Sequence, residues 1–408
     1  MNNSPLNSYL ESLELKQLPS AASPSQWGKL LLENNSPFAS STPNQKIKIV
    51  ANIYSKLSYL ENWFKKDLGD LFGSTKEISP AVIPFQDKTF QPLESLEQLP
   101  AFSLPGLPLN NYYTSSIIIA PVENGEKMNL SYHRVQKISK NKVVIRVVKR
   151  HLYKLLQKNG GKLKTAIVFG ASPLVSLAAA YPFRENGTDL QRLGGMNNKP
   201  LEVFHLDPLL IPASVNIIVQ GKFTGELAPE GPFVDLTGTR DKVREQPVFE
   251  VNTIYARFNP ILPMILPSES EHALLMGFPR LLALRKAIKP LVNHLRGVSL
   301  TPGGSGWLHC VVSCNPKSSI RQIGQTALNT HKSLKRVIIV NEDIDPNNLQ
   351  EVEWALATRF QPDKDLHLYP GETGSSLDPS SKNSITCKWV CNATIPPDQN
   401  PANFKKLI

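Results

Sequence analysis

The sequence predicts an α+β protein with a β-rich middle section, a small C-terminal α/β domain and a long helix between them. At 408 residues the chain is too long for one ordinary hydrophobic core. Between residues 116 and 260, short runs rich in Val, Ile, Phe and Thr are separated by Gly and Pro, a texture typical of a β-barrel with inserts. From residue 301 strands and helices alternate, which indicates an α/β domain.

The N-terminal section, residues 1–115, is expected to be helical and rich in proline. From Ile47 to Phe72, apolar residues recur at spacings of three and four, which predicts a helix. Residues 73–115 hold many prolines and predict an extended connector rather than a core.

The middle section, residues 116–300, is expected to combine strands with two helices. A short helix is predicted at Pro173–Ala180, which is rich in Ala and Leu, and a long one from Glu271 to about Leu295, where Leu and Phe recur at helical spacing. The predicted strands are Ser116–Val122, Val143–Val148, Thr165–Phe169, Asn216–Gln220 and Val248–Arg257.

The C-terminal domain is expected over residues 301–408. Its four cysteines fall in two pairs, and Cys310 and Cys314 lie on one face of a predicted strand, which favours buried free thiols over a zinc site. Its predicted elements are strands at Trp307–Cys310, Arg336–Val340 and Leu366–Tyr369 and a helix at Asn348–Thr358.

The formal net charge of +11 points to an anionic partner. A nucleic-acid-binding module is one interpretation, but the basic residues are scattered in short pairs such as Lys65-Lys66, so we expect no nucleic acid. An enzyme with an anionic cofactor and an anionic substrate also benefits from positive potential. Because no basic leader or long apolar run is visible, the cytoplasm is the expected compartment.

Three stretches place polar groups where plain packing does not require them. They are Asn129-Leu-Ser-Tyr-His-Arg134, Arg150-His151 after a predicted strand, and the turn-rich loop from Glu230 to Gly238, which contains Asp235. Two carboxylates near one arginine can transfer protons, because the cation keeps one acid ionised while burial raises the pKa of the other.

The order of these stretches resembles the UbiD family of reversible decarboxylases. Further similar segments are GASPLVSLAAA at 170–180, PLEVFHLDPLLIPASVNIIVQGKF at 200–223, FEVNTIYARFNPILP at 249–263 and VIIVNEDIDPNNLQEVEWALATRFQPDKD at 337–365. The resemblance runs in consistent order over roughly residues 98–390. It implies a split β-barrel that binds prenylated FMN, supplied by a partner flavin prenyltransferase, followed by a C-terminal α/β domain.

The resemblance also implies a catalytic set of Arg134, Glu230 and Asp235. Arg134 is expected to orient the substrate carboxylate, with Glu230 paired to it beside the flavin. Asp235 is expected to donate a proton to the carbon that CO2 leaves. In this family the cofactor ring serves as an electron sink for the breaking C–C bond.

The same resemblance places Asn129, His151 and Asp189 at metal-ligand positions. They are expected to hold a divalent ion, usually manganese, which joins the cofactor phosphate together with a monovalent ion such as potassium. Arg150 competes with His151 for its position, and Asp189 stands where the family more often has Glu. Other implied flavin contacts are Tyr132 and His133 along the ring, Arg146 and Arg150 toward the phosphate, and Lys382.

The implied reaction is non-oxidative decarboxylation of an aromatic or α,β-unsaturated acid, with quinone biosynthesis as the expected route. An apolar strip in the connector could cover a prenyl chain, although packing onto the barrel is its more ordinary role; it comprises Phe85, Phe90, Phe102, Leu104 and Leu107. Alternatives are a cinnamate-like or heteroaromatic substrate, carboxylation in the reverse direction, and a flavin-binding protein without decarboxylase activity. A homo-oligomer, dimer or hexamer, is expected, and peripheral membrane association stays open.

Overall fold

The chain divides into two compact units. The N-terminal unit comprises residues 1–234 and 240–272, and the C-terminal unit comprises residues 235–239 and 273–408. Helices and strands occur in both units, so the predicted α+β class is confirmed. The boundaries at residues 115 and 300 stay predictions. The computed structural model describes residues 4–18, 26, 29, 31, 33–42, 45–85, 89–103, 111–122, 125–183 and 187–404.

The helices and strands of the described residues are as follows. The α-helices are α1 (Pro5–Glu11), α2 (Leu57–Phe64), α3 (Leu68–Gly73), α4 (His151–Lys158), α5 (Pro173–Ala180), α6 (Asp189–Met196), α7 (Ser270–Ile288), α8 (Ile320–Thr330), α9 (Leu349–Arg359) and α10 (Pro362–Asp365). Short 3-10 helices lie at Leu96–Gln98, Lys289–Leu291, Pro302–Gly304 and Pro401–Phe404. The strands are β1 (Lys16–Gln17), β2 (Phe38–Thr42), β3 (Gln45–Ala51), β4 (Ala81–Ile83), β5 (Phe90–Leu93), β6 (Tyr112–Tyr113), β7 (Ile117–Val122), β8 (Lys127–Tyr132), β9 (Val135–Lys137), β10 (Lys142–Ile145), β11 (Lys162–Phe169), β12 (Glu202–Leu206), β13 (Leu209–Pro212), β14 (Ile217–Glu230), β15 (Phe233–Val234), β16 (Arg240–Asp241), β17 (Arg244–Arg257), β18 (Ile261–Met264), β19 (Val292–Leu300), β20 (His309–Pro316), β21 (Arg336–Val340), β22 (Leu366–Thr373) and β23 (Ile385–Ala393).

A nine-stranded antiparallel sheet dominates the N-terminal unit. Its order is β6-β9-β10-β17-β14-β11-β7-β8, and β5 also pairs with β17. Apolar side chains from its strands, among them Ile118, Val143, Ile167 and Phe249, form a buried core. Such a core is the main source of stability for the surrounding strands.

The connection between β8 and β9 shows how strongly this sheet curls. Strand β8 lies at one end of the sheet and β9 is next to the other end, yet only His133 and Arg134 separate them in sequence. Because each residue spans at most about 3.6 Å, the two ends of the sheet must approach each other. No pairing among the described strands closes the sheet, and Arg134 sits at the resulting seam.

The longest strands, β14 and β17, place Glu230 at the end of the ladder that they form. Their register pairs Glu230 with Arg244 at the final position. Irregularities follow Gln220 and Phe223, where the two strands shift relative to each other. The ladder is therefore bent, as β-bulges bend strands, before it delivers Glu230.

The C-terminal unit contains a five-stranded sheet in the order β19-β20-β21-β23-β22, in which β20, β21 and β23 run parallel. Helix α8 contributes to the apolar core on one face and α9 to the core on the other. Cys310 and Cys314 lie in β20 and are buried, as predicted, and neither forms a disulfide. Burial raises the pKa of the Cys310 thiol to about 12.

Two predicted helices have different bounds in the structure. The helix expected from Ile47 starts only at Leu57, because alternating Lys and Ile at the start of the segment form strand β3 instead. The helix expected to reach Leu295 ends at Ile288, since Pro290 lacks the N–H that would continue it, and β19 begins at Val292.

The connector packs onto the N-terminal unit. Phe90 and Phe102 are buried, and the ring of Phe85 contacts those of Phe204 and Tyr255. Packing therefore accounts for these three rings, and a cover over a prenyl chain stays a prediction. Leu104 and Leu107 lie outside the described residues. Among the helices that the structure describes, none is both long and apolar enough to cross a bilayer.

Candidate active site

Arg134 and Glu230 form a bidentate ion pair. Nε and Nη2 of Arg134 each lie 2.9 Å from an oxygen of Glu230. Glu230 is completely buried, and the side chain of Arg134 is only 12% exposed. The structure thus brings together two of the three predicted catalytic residues, and such paired, charge-assisted hydrogen bonds fix the orientation of the guanidinium group.

Asp241, which the sequence analysis missed, is a second carboxylate on Arg134. Its Oδ2 accepts a hydrogen bond from Nη2 of Arg134 at 2.7 Å, and its Oδ1 accepts one from Nη1 of Arg244 at 2.6 Å. Burial acts to raise the pKa of Asp241, but hydrogen bonds from these two arginines hold it below its ordinary value. The segment Arg240-Asp-Lys-Val-Arg244, an acid among three cations, was the available signal.

Neighbouring side chains hold the Arg134–Glu230 pair in place. The hydroxyl of Tyr112 lies 2.9 Å from Oε1 of Glu230. Burial, followed by the charge of Glu230, raises the pKa of Tyr112, so the phenol stays protonated and donates. The guanidinium carbon of Arg134 lies 4.4 Å from the ring centre of Phe233, and that ring packs against Tyr112.

His133 is a neutral histidine that links the seam to the residue that follows β10. Its Nδ1 lies 2.9 Å from the carbonyl oxygen of Arg146, which can only accept, so Nδ1 carries the proton. Its Nε2 then accepts from the hydroxyl of Ser131 at 2.9 Å. Burial lowers the pKa of His133 to about 4, which keeps the ring uncharged at neutral pH.

Arg146 and Arg150 occupy different surroundings. The Arg146 guanidinium is half-buried, and burial followed by the charges of Arg244 and Arg134 lowers its pKa. Arg150 is exposed and precedes α4, close enough to His133 to lower the pKa of that ring. Burial also raises the pKa of the Tyr132 phenol. The roles of these side chains at the flavin stay predictions.

Asp235 and Lys382 belong to the C-terminal unit. Asp235 begins the turn between β15 and β16, where its Oδ1 accepts the backbone N–H of Leu236 at 2.7 Å. Lys382 is exposed and its backbone bridges to Ile385 at the start of β23. The proton-donor role of Asp235 and the flavin contact of Lys382 stay predictions.

The predicted metal ligands converge from three elements. Nδ2 of Asn129, in β8, lies 3.4 Å from Oδ2 of Asp189 and 3.5 Å from Nδ1 of His151. His151 and Asp189 are the first residues of α4 and α6, and a backbone bridge between Met128 and Thr188 brings α6 beside β8. All three side chains therefore face one point.

This group fits a divalent cation. Asp189 is 3% exposed, forms no salt bridge within the described ranges, and accepts the backbone N–H of Leu130 at 2.8 Å. Burial raises the pKa of Asp189 to about 7. Rotation of the Asn129 amide would present its oxygen beside a carboxylate and an imidazole, a donor set that suits manganese or magnesium. A bound cation would supply a positive counter-charge to the buried carboxylate of Asp189.

A cavity of about 530 Å³ opens next to this group. Asn129 and His151 line it together with Lys154 and Lys158. His151, Lys154 and Lys158 recur at spacings of three and four along α4 and so share one face of that helix. The combination of cations and candidate metal ligands suits a phosphate group. The helical spacing could have identified both lysines from the sequence.

Comparisons with known proteins identify the family of the chain. The model for the 3-octaprenyl-4-hydroxybenzoate carboxy-lyase Rift-related domain matches residues 79–270, and that for the carboxy-lyase C-terminal domain matches residues 273–393. The anhydromevalonate phosphate decarboxylase of Aeropyrum pernix is 35% identical over 78% of this chain and 78% of the relative. The enzyme of the same name from Methanocaldococcus jannaschii is 37% identical over 70% of this chain and 69% of the relative.

Solved structures show the same fold. The UbiD-class enzyme HmfF from Pelotomaculum thermopropionicum, in complex with FMN, has a TM-score of 0.91 at 24% identity, covering 99% of this chain and 97% of that one. An evolved dimeric form of HmfF with prFMN has a TM-score of 0.86 at 24% identity, covering 100% and 99%. Given both domain matches and the 35% identical relative, the chain belongs to the UbiD family and is a carboxy-lyase.

Proposed function

We propose that the chain decarboxylates an α,β-unsaturated acid that carries a phosphate group, using prenylated FMN. The observation that carries the reaction is the buried Arg134–Glu230 pair, which holds a guanidinium group rigidly at the seam of the sheet. The substrate class rests on the two relatives named above, at 35% and 37% identity. The name of these relatives gives their substrate as anhydromevalonate phosphate, which is the carboxylic acid mevalonate after loss of water and addition of phosphate.

Each part of the site has a task in this proposal. The curled nine-stranded sheet is proposed to be the split barrel that receives the cofactor. Asn129, His151 and Asp189 would hold a divalent ion, with manganese as the prediction, near the cofactor phosphate, and Lys154 and Lys158 would add positive charge. When bound, the prenylated flavin supplies an electron-poor ring that accepts the electrons of the breaking C–C bond.

The residues of the chain orient the acid and deliver a proton. Arg134 is proposed to position the substrate carboxylate, with its own orientation set by Glu230, Asp241 and the Phe233 ring. After CO2 leaves, one proton must reach the carbon, and Asp235 is the proposed donor. We expect Glu230→Gln and Asp235→Asn each to lower turnover by at least ~10²-fold with flavin retained, because both keep size but remove a titratable group.

A second candidate substrate is a polyprenyl hydroxybenzoate on a quinone route, since the matching family models carry that name. The chain should be produced with a flavin prenyltransferase and supplied with phosphorylated unsaturated acids, hydroxybenzoates, naphthoates, cinnamates and heteroaromatic acids, while CO2 release is followed. We expect turnover of the phosphorylated acids. Turnover confined to hydroxybenzoates or naphthoates would favour the quinone route. Robust decarboxylation by flavin-free protein would refute the proposed cofactor.

A further inference from the structure

We infer that Arg244, anchored by Asp241, binds the phosphate group of the substrate and so selects phosphorylated acids. The inference rests on the proposed decarboxylase function and concerns specificity within it. Nothing in the sequence analysis assigned a role to either residue.

The catalytic end of the sheet holds more positive than negative charge. Three guanidinium groups, those of Arg134, Arg146 and Arg244, face two carboxylates, Glu230 and Asp241. Glu230 is occupied by Arg134, and Asp241 is shared between Arg134 and Arg244. The Arg146 side chain makes no hydrogen bond or salt bridge with any residue that the structure describes. The group therefore keeps an excess positive charge that attracts an anion.

Arg244 is anchored on one side and open on the other. Its Nη1 donates to Oδ1 of Asp241 at 2.6 Å and to the carbonyl oxygen of Lys242 at 3.1 Å. Within the described part of the chain, its Nε and Nη2 make no hydrogen bond, and its side chain remains 36% exposed. A guanidinium group fixed in this way presents two donors to a phosphate with little loss of side-chain freedom.

The spacing favours a short substrate with an anionic group at each end. Arg134 and Arg244 bond to opposite oxygens of the same Asp241 carboxylate, so their guanidinium groups lie one carboxylate apart. If Arg134 receives the substrate carboxylate, Arg244 lies where a phosphate a few carbons away would reach. A long prenyl chain offers no group for Arg244.

The position of Arg244 separates this phosphate from the one on the cofactor. Its partners are Asp241 and the backbone of Lys242, whereas the candidate metal ligands lie beside Lys154 and Lys158. No hydrogen bond or salt bridge joins Arg244 to the metal group among the residues described. Two separate basic groups therefore serve two separate phosphates.

The test uses holoenzyme and two substrates, a phosphorylated unsaturated acid and the same acid with a free hydroxyl. The variants are Arg244→Ala, Arg244→Lys and Asp241→Asn, and the matched control is Arg240→Ala, an exposed arginine of the same segment. For each, kcat/KM is measured on both substrates together with bound flavin. Arg244→Lys keeps the positive charge but loses the planar set of N–H donors of a guanidinium group. It therefore tests the inference even if Arg244→Ala impairs folding.

We expect Arg244→Ala to lower kcat/KM for the phosphorylated acid by about 10- to 100-fold, the range for a lost charged hydrogen bond. The kcat/KM for the unphosphorylated acid should fall far less, so the preference of the enzyme for the phosphorylated acid should be lost. Arg244→Lys should fall between, Asp241→Asn should weaken the preference, and Arg240→Ala should keep it, with flavin unchanged throughout. These results together would support the inference.

An equal loss of kcat/KM on both substrates would overturn the inference, because Arg244 would then act only through Arg134. Loss of flavin in Arg244→Ala would also overturn it, by placing the residue at the cofactor. Wild-type enzyme that uses both acids equally would refute the inference and leave the decarboxylase intact. An enzyme that turns over other acids but no phosphorylated one would instead refute the proposed substrate.

Discussion

The Arg134 group and the Asn129–His151–Asp189 group lie in the same unit but differ in how their charges are satisfied. Around Arg134 the protein supplies its own counterions, with hydrogen bonds of 2.7 to 2.9 Å. Around Asp189 the side-chain contacts are long, 3.4 to 3.5 Å, and burial raises the pKa of the carboxyl. The first group is preorganised without a ligand, and we propose that a bound cation completes the second.

The two groups are therefore suited to different tasks. A catalytic arginine must keep one orientation throughout the reaction, so its partners are short, paired and buried. A metal site must leave donor atoms available, and a buried carboxylate without a protein cation is stabilised when the ion binds. The contrast predicts which substitutions should damage the fold and which should damage cofactor binding.

The largest effect is expected from Arg134→Ala. It leaves Glu230 buried without its counterion, which typically costs about 3–5 kcal/mol of unfolding free energy. Decarboxylation should fall below detection, because Arg134 is the residue proposed to position the substrate carboxylate. Urea unfolding and CO2 release would measure both effects, with Lys140→Ala, an exposed lysine, as the control that should behave like wild type. An unchanged unfolding free energy would show that the pair contributes little.

Glu271 sharpens the comparison, since it is a buried carboxylate satisfied by backbone donors. Its oxygens accept the N–H groups of Asn52 and Tyr54, both at 2.9 Å, yet burial still raises its pKa to about 7. Between the ordinary carboxyl pKa and about 7, the folded state binds more protons than the unfolded state. Stability from this group is therefore present at low pH and is lost as the pH rises through 7.

The test compares thermal unfolding of wild type and Glu271→Gln between pH 5 and pH 8. The wild type should lose stability relative to the variant as the pH rises, because only the wild type must ionise a buried group. Parallel pH profiles would contradict the raised pKa.

A smaller effect is expected from Tyr112→Phe. It removes one donor from Glu230 while Arg134 stays in place, so the unfolding free energy should fall by about 1 kcal/mol. Turnover should fall less than in Glu230→Gln. Tyr153→Phe is the matched control, since the Tyr153 hydroxyl makes no hydrogen bond within the ranges described. A loss as large as that of Arg134→Ala would mean that Tyr112 has a direct catalytic role.

Local sequence patterns predicted much of the fold but not how its strands pair. Pro173–Ala180 and Arg336–Val340 have the predicted bounds, because propensity and periodicity agree in those segments. Strand β14 runs from Ile217 to Glu230, far beyond the five residues predicted, since its outer half is polar and is stabilised by pairing with β17. Pairing between distant segments is not visible in a local pattern.

The candidate site was likewise only partly predictable from the sequence. Arg134, Glu230, Asn129, His151 and Asp189 were found through a family resemblance that preserves their order, and the structure brings them together in two groups. Asp241 and Arg244 were missed because their partner, Arg134, is remote in sequence and basic segments are usually exposed to solvent. The register of β14 with β17, which pairs Glu230 with Arg244, returns this segment to the site.

The separation of tasks is tested most directly by Asp189→Ala and Glu230→Gln, each produced with a flavin prenyltransferase. Bound flavin, bound metal and CO2 release should be measured on the same preparations. We predict that Asp189→Ala loses flavin and metal together, whereas Glu230→Gln keeps both and loses turnover by at least ~10²-fold. Full flavin occupancy in Asp189→Ala after the metal is lost, or loss of flavin in Glu230→Gln, would contradict this account.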